Sequence, residues 1–297
     1  MPTPTGGRAL INVGVMFANG AAAAEPEHAA TLAVAAERAG YDSLWAVQHV
    51  VMPVEHASEY PYSASGTVPG GTAVAIPDPL VWLAWAGAQT STILLATGVL
   101  VLPQQHPLVV AKQAATLDRL TGGRLLLGLG AGWLQEEFAA LASDFDRRGP
   151  RMEECMQVLR LAGEPGPIEF HGEHIDFAPV WVEPKPARRI PLIIGGHTTA
   201  AARRAGRLAD GFFPLSCQGE ALTKLVGIVR EAAEAAGRDP RAIEITVDAP
   251  RTAEDAAVQR ALDVDRVVVN APHVPTGELA AALAAKLAAT REAYARA

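Results

Sequence analysis

Residues 93–130, ILLATGVLVLPQQHPLVVAKQAATLDRLTGGRLLLGLG, decide the fold of this chain. Two apolar runs, Ile93–Val99 and Leu125–Gly130, flank a longer mixed segment that begins at Pro107. Continuous apolar runs are typical of parallel strands whose two faces are both buried. Proline is typical of the first position of a helix. The stretch therefore predicts a strand, a helix and a second strand parallel to the first.

The same alternation extends along the rest of the 297 residues. Eight candidate strands are Leu10–Phe17, Ser43–Gln48, Ile93–Val99, Leu125–Gly130, Pro191–Gly195, Gly211–Leu215, Ile243–Val247 and Arg266–Asn270. Eight strand–helix units predict an α/β fold of the (β/α)8 TIM-barrel type. A doubly wound open sheet is the alternative, although such sheets usually have fewer strands. Because the composition shows no break, we expect one domain over residues 1–297.

Two segments are too long for the short connections of a barrel. Val50–Pro77 follows the second strand and is rich in proline and glycine. Gly163–Arg189 follows the fourth strand, and its alternating run Ile168–Phe177 predicts a β-hairpin with Gly172 near the turn. Long excursions in compact domains are usually lids or binding loops. We expect insertions after strands two and four, the first of them a lid.

Charge and composition narrow the range of partners. The net charge is −7 at pH 7, which argues against nucleic acid because phosphate binding needs a clustered basic face. The arginine pairs 147–148, 188–189 and 203–204 are interpreted as solvated helix ends. No apolar run approaches the roughly 18 residues of a membrane span. The polar start, Met1–Arg8, does not resemble a secretory signal, so a cytoplasmic location without a membrane partner is expected.

His49 is the candidate catalytic residue because it closes the second predicted strand. Polar residues at the carboxyl ends of barrel strands face the active site, and an imidazole can donate a proton near neutral pH. The alternative is a structural histidine beneath the long loop. The acidic residues of Asp118-Arg119 and Glu136-Glu137 are interpreted as helix-surface or capping residues.

Histidines and cysteines do not predict a metal site. His171 and His174 lie in the predicted hairpin, where they point to opposite faces. The two cysteines, Cys155 and Cys217, form no CxxC motif, so neither a thiolate zinc site nor a disulfide framework is expected.

Glycines in the third predicted strand and at the end of the fourth suggest close approach of a ligand. Gly98, before Val99, lies inside a buried strand, where glycine often marks a bulge or a ligand contact, with a simple strand end as the alternative. Gly130 and Gly132 follow the fourth strand and let a flat ring or a phosphate approach the backbone, with a tight turn as the alternative. Trp133 is then a wall of the pocket or a core residue.

A candidate phosphate site follows the fifth predicted strand. The sequence Gly195-Gly196-His197-Thr198 leads into a predicted helix over Ala200–Leu208. Free N–H groups and the helix dipole at such an N-terminus favour an anion. An ordinary helix cap is the alternative.

Together these motifs resemble the luciferase-like flavin and deazaflavin oxidoreductases. The resemblance lies in Ala39–Trp45 with His49, in Thr97–Pro103, in Leu117–Arg124 leading into Gly128–Trp133, and in Gly195–Thr198. It extends from Leu10 to Leu215, and the rest matches only in its strand–helix pattern. Tyr60–Ser63 and Gly132–Phe138 are most similar to the subgroup that uses the deazaflavin coenzyme F420.

The resemblance implies hydride transfer between C5 of coenzyme F420 and a small organic substrate. It assigns His49 as the acid near the ring, and it assigns the cofactor to the residues Gly98, Val99, Gly130, Gly132, Gly195, Gly196, His197 and Thr198. Many members have a non-proline cis bond in strand three, so we predict a cis or distorted peptide at Gly98-Val99. A monooxygenase that uses flavin mononucleotide (FMN) and O₂ is one alternative, and a non-catalytic cofactor-binding homologue is another. A homodimer is expected.

The sequence departs from its relatives at Gln48, where many of them have an acidic residue. This departure puts a carboxylate-assisted role for His49 in question. Trp133 stands where the sugar-phosphate dehydrogenases of the family have a carboxylate, so a phosphorylated sugar is not the expected substrate.

Overall fold

The structure is a computed structural model that describes residues 11–63, 65–68 and 70–296. Leu10, at the start of the first predicted strand, and Met1–Arg8 lie outside the described residues. The described strands are β1 Asn12–Met16, β2 Ser43–Ala46, β3 Leu94–Thr97, β4 Leu100–Val101, β5 Leu125–Gly130, β6 Ile168–His171, β7 Asp176–Val180, β8 Leu192–Gly195, β9 Gly211–Phe213, β10 Glu244–Asp248 and β11 Arg266–Asn270.

A closed parallel barrel forms the centre of the molecule. The main sheet has the order β3-β2-β1-β11-β10-β9-β8-β5-β4, and β3 also pairs with β5. This last pairing, which places Leu95 opposite Leu125, closes the barrel. The predicted (β/α)8 barrel is therefore confirmed, and the doubly wound open sheet is excluded.

Helices surround the barrel, and capping residues mark several of their ends. They are α1 Pro26–Ala39, α2 Pro79–Gln89, α3 Pro107–Leu120, α4 Gln135–Ala140, α5 Arg148–Ala162, α6 Thr199–Leu208, α7 Gly219–Ala235, α8 Ala253–Ala261 and α9 Leu279–Arg296. Asp78 caps α2 by accepting hydrogen bonds from the N–H groups of Leu80 and Val81. Gly40 ends α1 with a φ of 90°, which glycine adopts at little cost.

The third predicted strand is interrupted in the structure. Ile93–Val99 was expected to be continuous, but β3 ends at Thr97 and β4 begins at Leu100. The peptide bond between Gly98 and Val99 is cis, which confirms the prediction made for this bond. After it, β4 pairs only with β5, with Leu100 opposite Leu129.

Large side chains fill the interior of the barrel. Alternate residues of the strands point inward, and they form one buried cluster of Met16, Trp45, Ala96, Leu126, Ile193, Phe213 and Val268. The rings of Trp45 and Phe213 lie 5.2 Å apart, between centroids. The interior is therefore a packed core rather than a pore, and a ligand has room only beyond the strand ends.

The two long segments differ in structure. Residues 168–180 contain the hairpin of β6 and β7, with His171 paired to Asp176. Between β2 and α2 the described residues form turns and irregular backbone. No helix in the described ranges is both long and apolar enough to cross a membrane.

Asp118 corrects one expectation about α3. It was interpreted as a surface or capping residue, but its side chain is fully buried. Its carboxylate accepts hydrogen bonds from the N–H groups of Leu125, Ala187 and Arg188, so it joins α3 to the segment before β8.

Candidate active site

One cavity of about 940 Å³ lies at the carboxyl ends of the barrel strands. The cavity is lined by every residue for which the sequence predicted a catalytic or cofactor-binding role: His49, Gly98, Val99, Gly130, Gly132, Gly195, Gly196, His197 and Thr198. The fold brings these residues together at the carboxyl ends of four strands, β2, β3, β5 and β8. Trp133 also lines the cavity and is therefore a wall of the pocket.

His49 is held by the carboxylate of Glu137, a residue that was expected on a helix surface or at a helix cap. Nδ1 of His49 lies 3.1 Å from Oε2 of Glu137, which belongs to α4. Glu137 was expected at the helix surface, yet it is only 1% exposed. A six-residue helix that begins three residues after Gly132 turns this side chain inward and under the long loop.

The second oxygen of Glu137 binds the start of the long loop. Oε1 accepts a hydrogen bond of 2.7 Å from the N–H of Val50 and one of 3.3 Å from the N–H of Val51. Its neighbour Glu136 accepts hydrogen bonds from the N–H groups of Ala57 and Ser58. The adjacent carboxylates therefore fix the first part of the loop to α4.

Glu137 is ionised at neutral pH although it is buried. Burial raises the pKa of Glu137, but hydrogen bonds and the charge of His49 outweigh burial, and the net pKa is lowered. An ionised carboxylate only accepts hydrogen bonds, so Nδ1 of His49 carries the shared hydrogen. Nε2 is then the ring nitrogen that remains for a ligand in the cavity.

Gln48 has a different task from the acidic residue that many relatives have at this place. It is 5% exposed, and its Oε1 accepts a 2.7 Å hydrogen bond from the N–H of Val101. Gln48 thus holds the backbone just beyond the cis peptide, while the carboxylate partner of His49 comes from Glu137. No residue near position 49 in the sequence indicates this partner, which is 88 positions away.

Val99 packs against two of the predicted cofactor-binding glycines. A Cβ atom on Gly130 would lie 2.5 Å from Cγ2 of Val99, and one on Gly195 would lie 2.4 Å from Cγ1. Atoms cannot approach so closely without displacing one another. Both glycines are therefore required by the Val99 side chain, in addition to any contact they make with a ligand.

The segment after β8 has the features of an anion site. Gly196 has a φ of 121°, a conformation that side chains disfavour. Thr198 caps α6, and its Oγ1 accepts a 3.1 Å hydrogen bond from the N–H of Ala201. Nδ1 of His197 is buried, and it has no hydrogen-bond partner among the described residues. A ligand with acceptor or donor atoms at this helix N-terminus would satisfy such a group.

Two arginines at the same side of the cavity are not the solvated helix ends that the sequence predicted. Arg148 lies 3.7 Å from the centroid of the Phe145 ring and lines the cavity. Arg204 also lines it, with a side chain 11% exposed and an Nε 3.1 Å from Oε1 of Glu153. With Asp146 as the one carboxylate beside them in the lining, these guanidinium groups favour an anionic ligand here.

A series of aromatic rings connects His49 with this anion site. Trp133 contacts His49 at 5.8 Å and Tyr60 at 5.4 Å, measured between ring centroids. Tyr60 contacts Tyr62 at 5.4 Å, and Tyr62 contacts His197 at 5.1 Å. Burial raises the pKa of Tyr62 to about 12, so its hydroxyl stays neutral. The long loop thus forms one wall of the cavity between the two predicted functional ends.

Metal ligands do not gather in the described part of the chain, where no group of three or more His, Cys, Asp or Glu side chains is placed to hold an ion. His171 and Asp176 form a pair at 2.7 Å on the exposed hairpin.

Comparison with known proteins places this chain in a family. The family model for luciferase-like monooxygenases matches residues 6–297. An uncharacterised protein of Mycobacterium tuberculosis is 35% identical over 234 residues, which cover 76% of this chain and 81% of that protein. The F420-dependent glucose-6-phosphate dehydrogenase of Nakamurella multipartita is 34% identical over 218 residues, which cover 72% of this chain but 60% of that enzyme.

A solved structure shares the architecture. The monooxygenase RslO1 of Streptomyces bottropensis superposes with a TM-score of 0.65 and 25% sequence identity, covering 95% of this chain and 80% of that chain. The match to the family extends over nearly the full sequence, and the barrel is the fold that the resemblance implied. The chain belongs to the luciferase-like monooxygenase family and is an oxidoreductase.

Proposed function

We propose that this enzyme transfers a hydride between coenzyme F420 and a small organic substrate, with His49 as the proton donor. The observation that carries the proposal is the joint placement of two features in one cavity. An ionised carboxylate orients His49 at one side, and an anion site at the start of α6 lies at the other. The F420-dependent relative with 34% identity supports the choice of cofactor.

The residues of the cavity fit a coenzyme with a flat ring and a phosphate. Gly196 has a φ that side chains disfavour, just before α6, and the buried Nδ1 of His197 needs a polar partner. These residues and Thr198 would hold the phosphate, with Arg148 and Arg204 beside it. Gly98 and Val99 would support the ring from the side of the barrel core.

When bound, coenzyme F420 supplies or accepts the hydride at C5 of its ring. In the reducing direction, a carbonyl carbon of the substrate gains that hydride and the carbonyl oxygen gains a proton, so the coenzyme is oxidised by two electrons. His49 would donate this proton from Nε2, because Nδ1 is bonded to Glu137. The Glu137 carboxylate fixes the ring orientation and stabilises positive charge on the imidazole before the transfer.

An FMN-dependent monooxygenase is the second candidate function. It is favoured by the similarity to the monooxygenase RslO1, and an anion site alone does not separate two ring cofactors that both carry a phosphate. We favour F420 because Arg148 and Arg204 line the cavity in addition to the anion site at the start of α6. Both guanidinium groups suit the acidic tail that F420 has and FMN lacks.

Titration of the purified chain with both cofactors tests the proposal. We expect tighter binding of F420 than of FMN at about 150 mM salt, where contacts of exposed charges are already partly screened. Reduced F420 should then be consumed with a panel of carbonyl and alkene compounds. Tighter binding of FMN with oxygen-dependent turnover would instead support the monooxygenase, and F420 binding without any turnover would support a non-catalytic carrier.

A further inference from the structure

The strand order divides the mouth of the cavity into two halves. Strands β5 and β8 are neighbours, and the segments that follow them carry the anion site. Strands β1 and β11 are neighbours on the other side of the barrel. We call the cavity lining that follows these two strands, together with residues 74–76 of the long loop, the β1–β11 half. This half contains none of the residues assigned to the cofactor phosphate.

The β1–β11 half is built of small and apolar side chains held by backbone contacts. Its lining includes Ala22, Leu32, Val74, Ile76 and Val274. The N–H of Ala21 donates a 2.9 Å hydrogen bond to the carbonyl of Ala75, which brings loop residues 74–76 against the segment after β1. Trp82 donates from its indole to the carbonyl of Ala23 at 2.8 Å, which fixes the floor of this half to α2.

Charged side chains are confined to the rest of the cavity. Among the described lining residues, the arginines are Arg148 and Arg204, which both lie beside the anion site. The carboxylates are Asp146 and Glu137, which belong to the connection after β5. The described lining of the β1–β11 half has no lysine, arginine, aspartate or glutamate, and its polar side chains are the buried His28 and the exposed Asn270 and His273. Burying a charge without a partner is unfavourable, so a charged group on a ligand would be disfavoured there.

His28 supplies a buried hydrogen-bonding group to this half. It lies on α1, is 7% exposed and lines the cavity. Its Nδ1 lies 3.0 Å from Oγ1 of Thr276, so Nε2 remains for a ligand. Burial lowers the pKa of His28, and the ring is therefore neutral at pH 7.

We propose that the β1–β11 half binds the substrate, and that the substrate is an uncharged, mainly apolar molecule with a second polar group, apart from its reacting carbonyl, that bonds to His28. This inference rests on the proposed function, since it assigns the opposite half to the coenzyme. Phosphorylated and carboxylated compounds are disfavoured in this half because its described lining has no lysine or arginine to pair with them.

Three ketones of matched size test the charge preference: 4-methylcyclohexanone, 4-(hydroxymethyl)cyclohexanone and 4-oxocyclohexanecarboxylate. Each is titrated by calorimetry into the chain saturated with oxidised F420, in which no turnover interferes. We expect both neutral ketones to bind and the carboxylate to bind at least about 10-fold more weakly. Equal or tighter binding of the carboxylate, or binding of none of the three, overturns the proposal.

A lysine introduced at Val74 locates the site. Val74→Lys should weaken the neutral ketones and strengthen the carboxylate, while the affinity for F420 is unchanged. Val54→Lys is the matched control, because Val54 lies in the same loop but is 90% exposed and outside the cavity lining. If both lysine variants change the three affinities alike, the substrate does not bind in the β1–β11 half.

His28→Phe tests the hydrogen bond. The variant should lose about 5-fold in affinity for the hydroxymethyl ketone, which is typical of one hydrogen bond, and little for the methyl ketone. Equal losses for both ketones would contradict the role of His28.

F420 is titrated into each variant, and the ketones are also titrated into the chain without cofactor. Failure of F420 to bind therefore contradicts the proposed function separately, whatever the ketones do.

Discussion

The Val99 side chain occupies the space that a β-carbon of Gly195 would need, since that carbon would lie 2.4 Å from Cγ1 of Val99. Gly195→Ala should therefore destabilise the fold by roughly 1–3 kcal/mol, the usual cost of overpacking. Val99→Ala removes the clashing methyl group, so the double variant should recover most of that loss. Urea unfolding of the unmodified chain, the two single variants and the double variant gives the coupling energy between the two positions. Additive losses in the double variant would mean that Val99 is not the obstacle.

Glu137→Gln should lower turnover by about 10-fold or more with little change in F420 affinity. The amide is neutral and has one acceptor oxygen where the carboxylate has two. Either its NH₂ group faces Nδ1 of His49 or it faces the N–H donors of Val50 and Val51, so the ring loses its ionised partner and one of the two contacts is mismatched. His49→Ala should lower turnover by roughly 100-fold, the scale of general acid catalysis. Steady-state kinetics with reduced F420 measure both effects.

Glu136→Gln is the control for Glu137, because Glu136 binds the same loop but does not contact His49. Its turnover should remain close to that of the unmodified chain. If the two glutamine variants lose turnover equally, Glu137 acts by anchoring the loop and not through the imidazole.

Arg204→Gln should weaken binding of F420 more than binding of the deazaflavin from which the phosphate and tail have been removed. The reason is that Arg204 lines the cavity beside the anion site. Arg203→Gln is the matched control, since Arg203 is the adjacent residue of α6, is exposed and is not part of the cavity lining. Fluorescence titration of both ligands measures the difference. Equal losses in the two variants would indicate a general charge effect.

Glu37 should make stability depend on pH in the acidic range. Burial raises its pKa, but hydrogen bonds from the N–H groups of Thr92, Ile93 and Ser91 outweigh burial and bring the pKa to about 2. The ordinary value is 4.5, so the folded state holds the lower pKa. The stabilisation is complete above the ordinary pKa and is lost as the pH falls toward 2. Urea unfolding from pH 5 to pH 2.5 should therefore show a shallower loss for Glu37→Gln than for the unmodified chain.

Strand positions were predictable because buried parallel strands are continuous apolar runs. Leu125–Gly130 and Arg266–Asn270 have in the structure the bounds that the sequence predicted. The second and sixth predicted strands, Ser43–Gln48 and Gly211–Leu215, are shorter in the structure and end at Ala46 and Phe213. Apolar residues continue beyond the last paired residue of each strand because they line the cavity. The sequence pattern does not separate apolar residues buried in the sheet from apolar residues that line the cavity.

The partner of His49 was not predictable from local sequence. Glu137 lies in an acidic pair at the start of a short helix, where carboxylates usually face solvent and the helix dipole. Its burial depends on the long loop, which crosses above it and is irregular. A signal was nevertheless present: Gln48 replaced the expected acidic residue, which implies either no carboxylate partner for His49 or one from another segment. The same argument applies to Arg204, whose pairing with Glu153 depends on the contact of α5 with α6.

Glu137 holds the imidazole with one oxygen and the base of the long loop with the other. A replacement of Glu137 is therefore expected to change both the orientation of the imidazole and the position of the loop. Variation in substrate range has to arise further along the loop, beyond Val51, where replacements leave the carboxylate and its two partners in place. Directed evolution of this enzyme should accordingly accumulate its beneficial mutations around residues 74–76 and leave residues 49–51 and 137 unchanged.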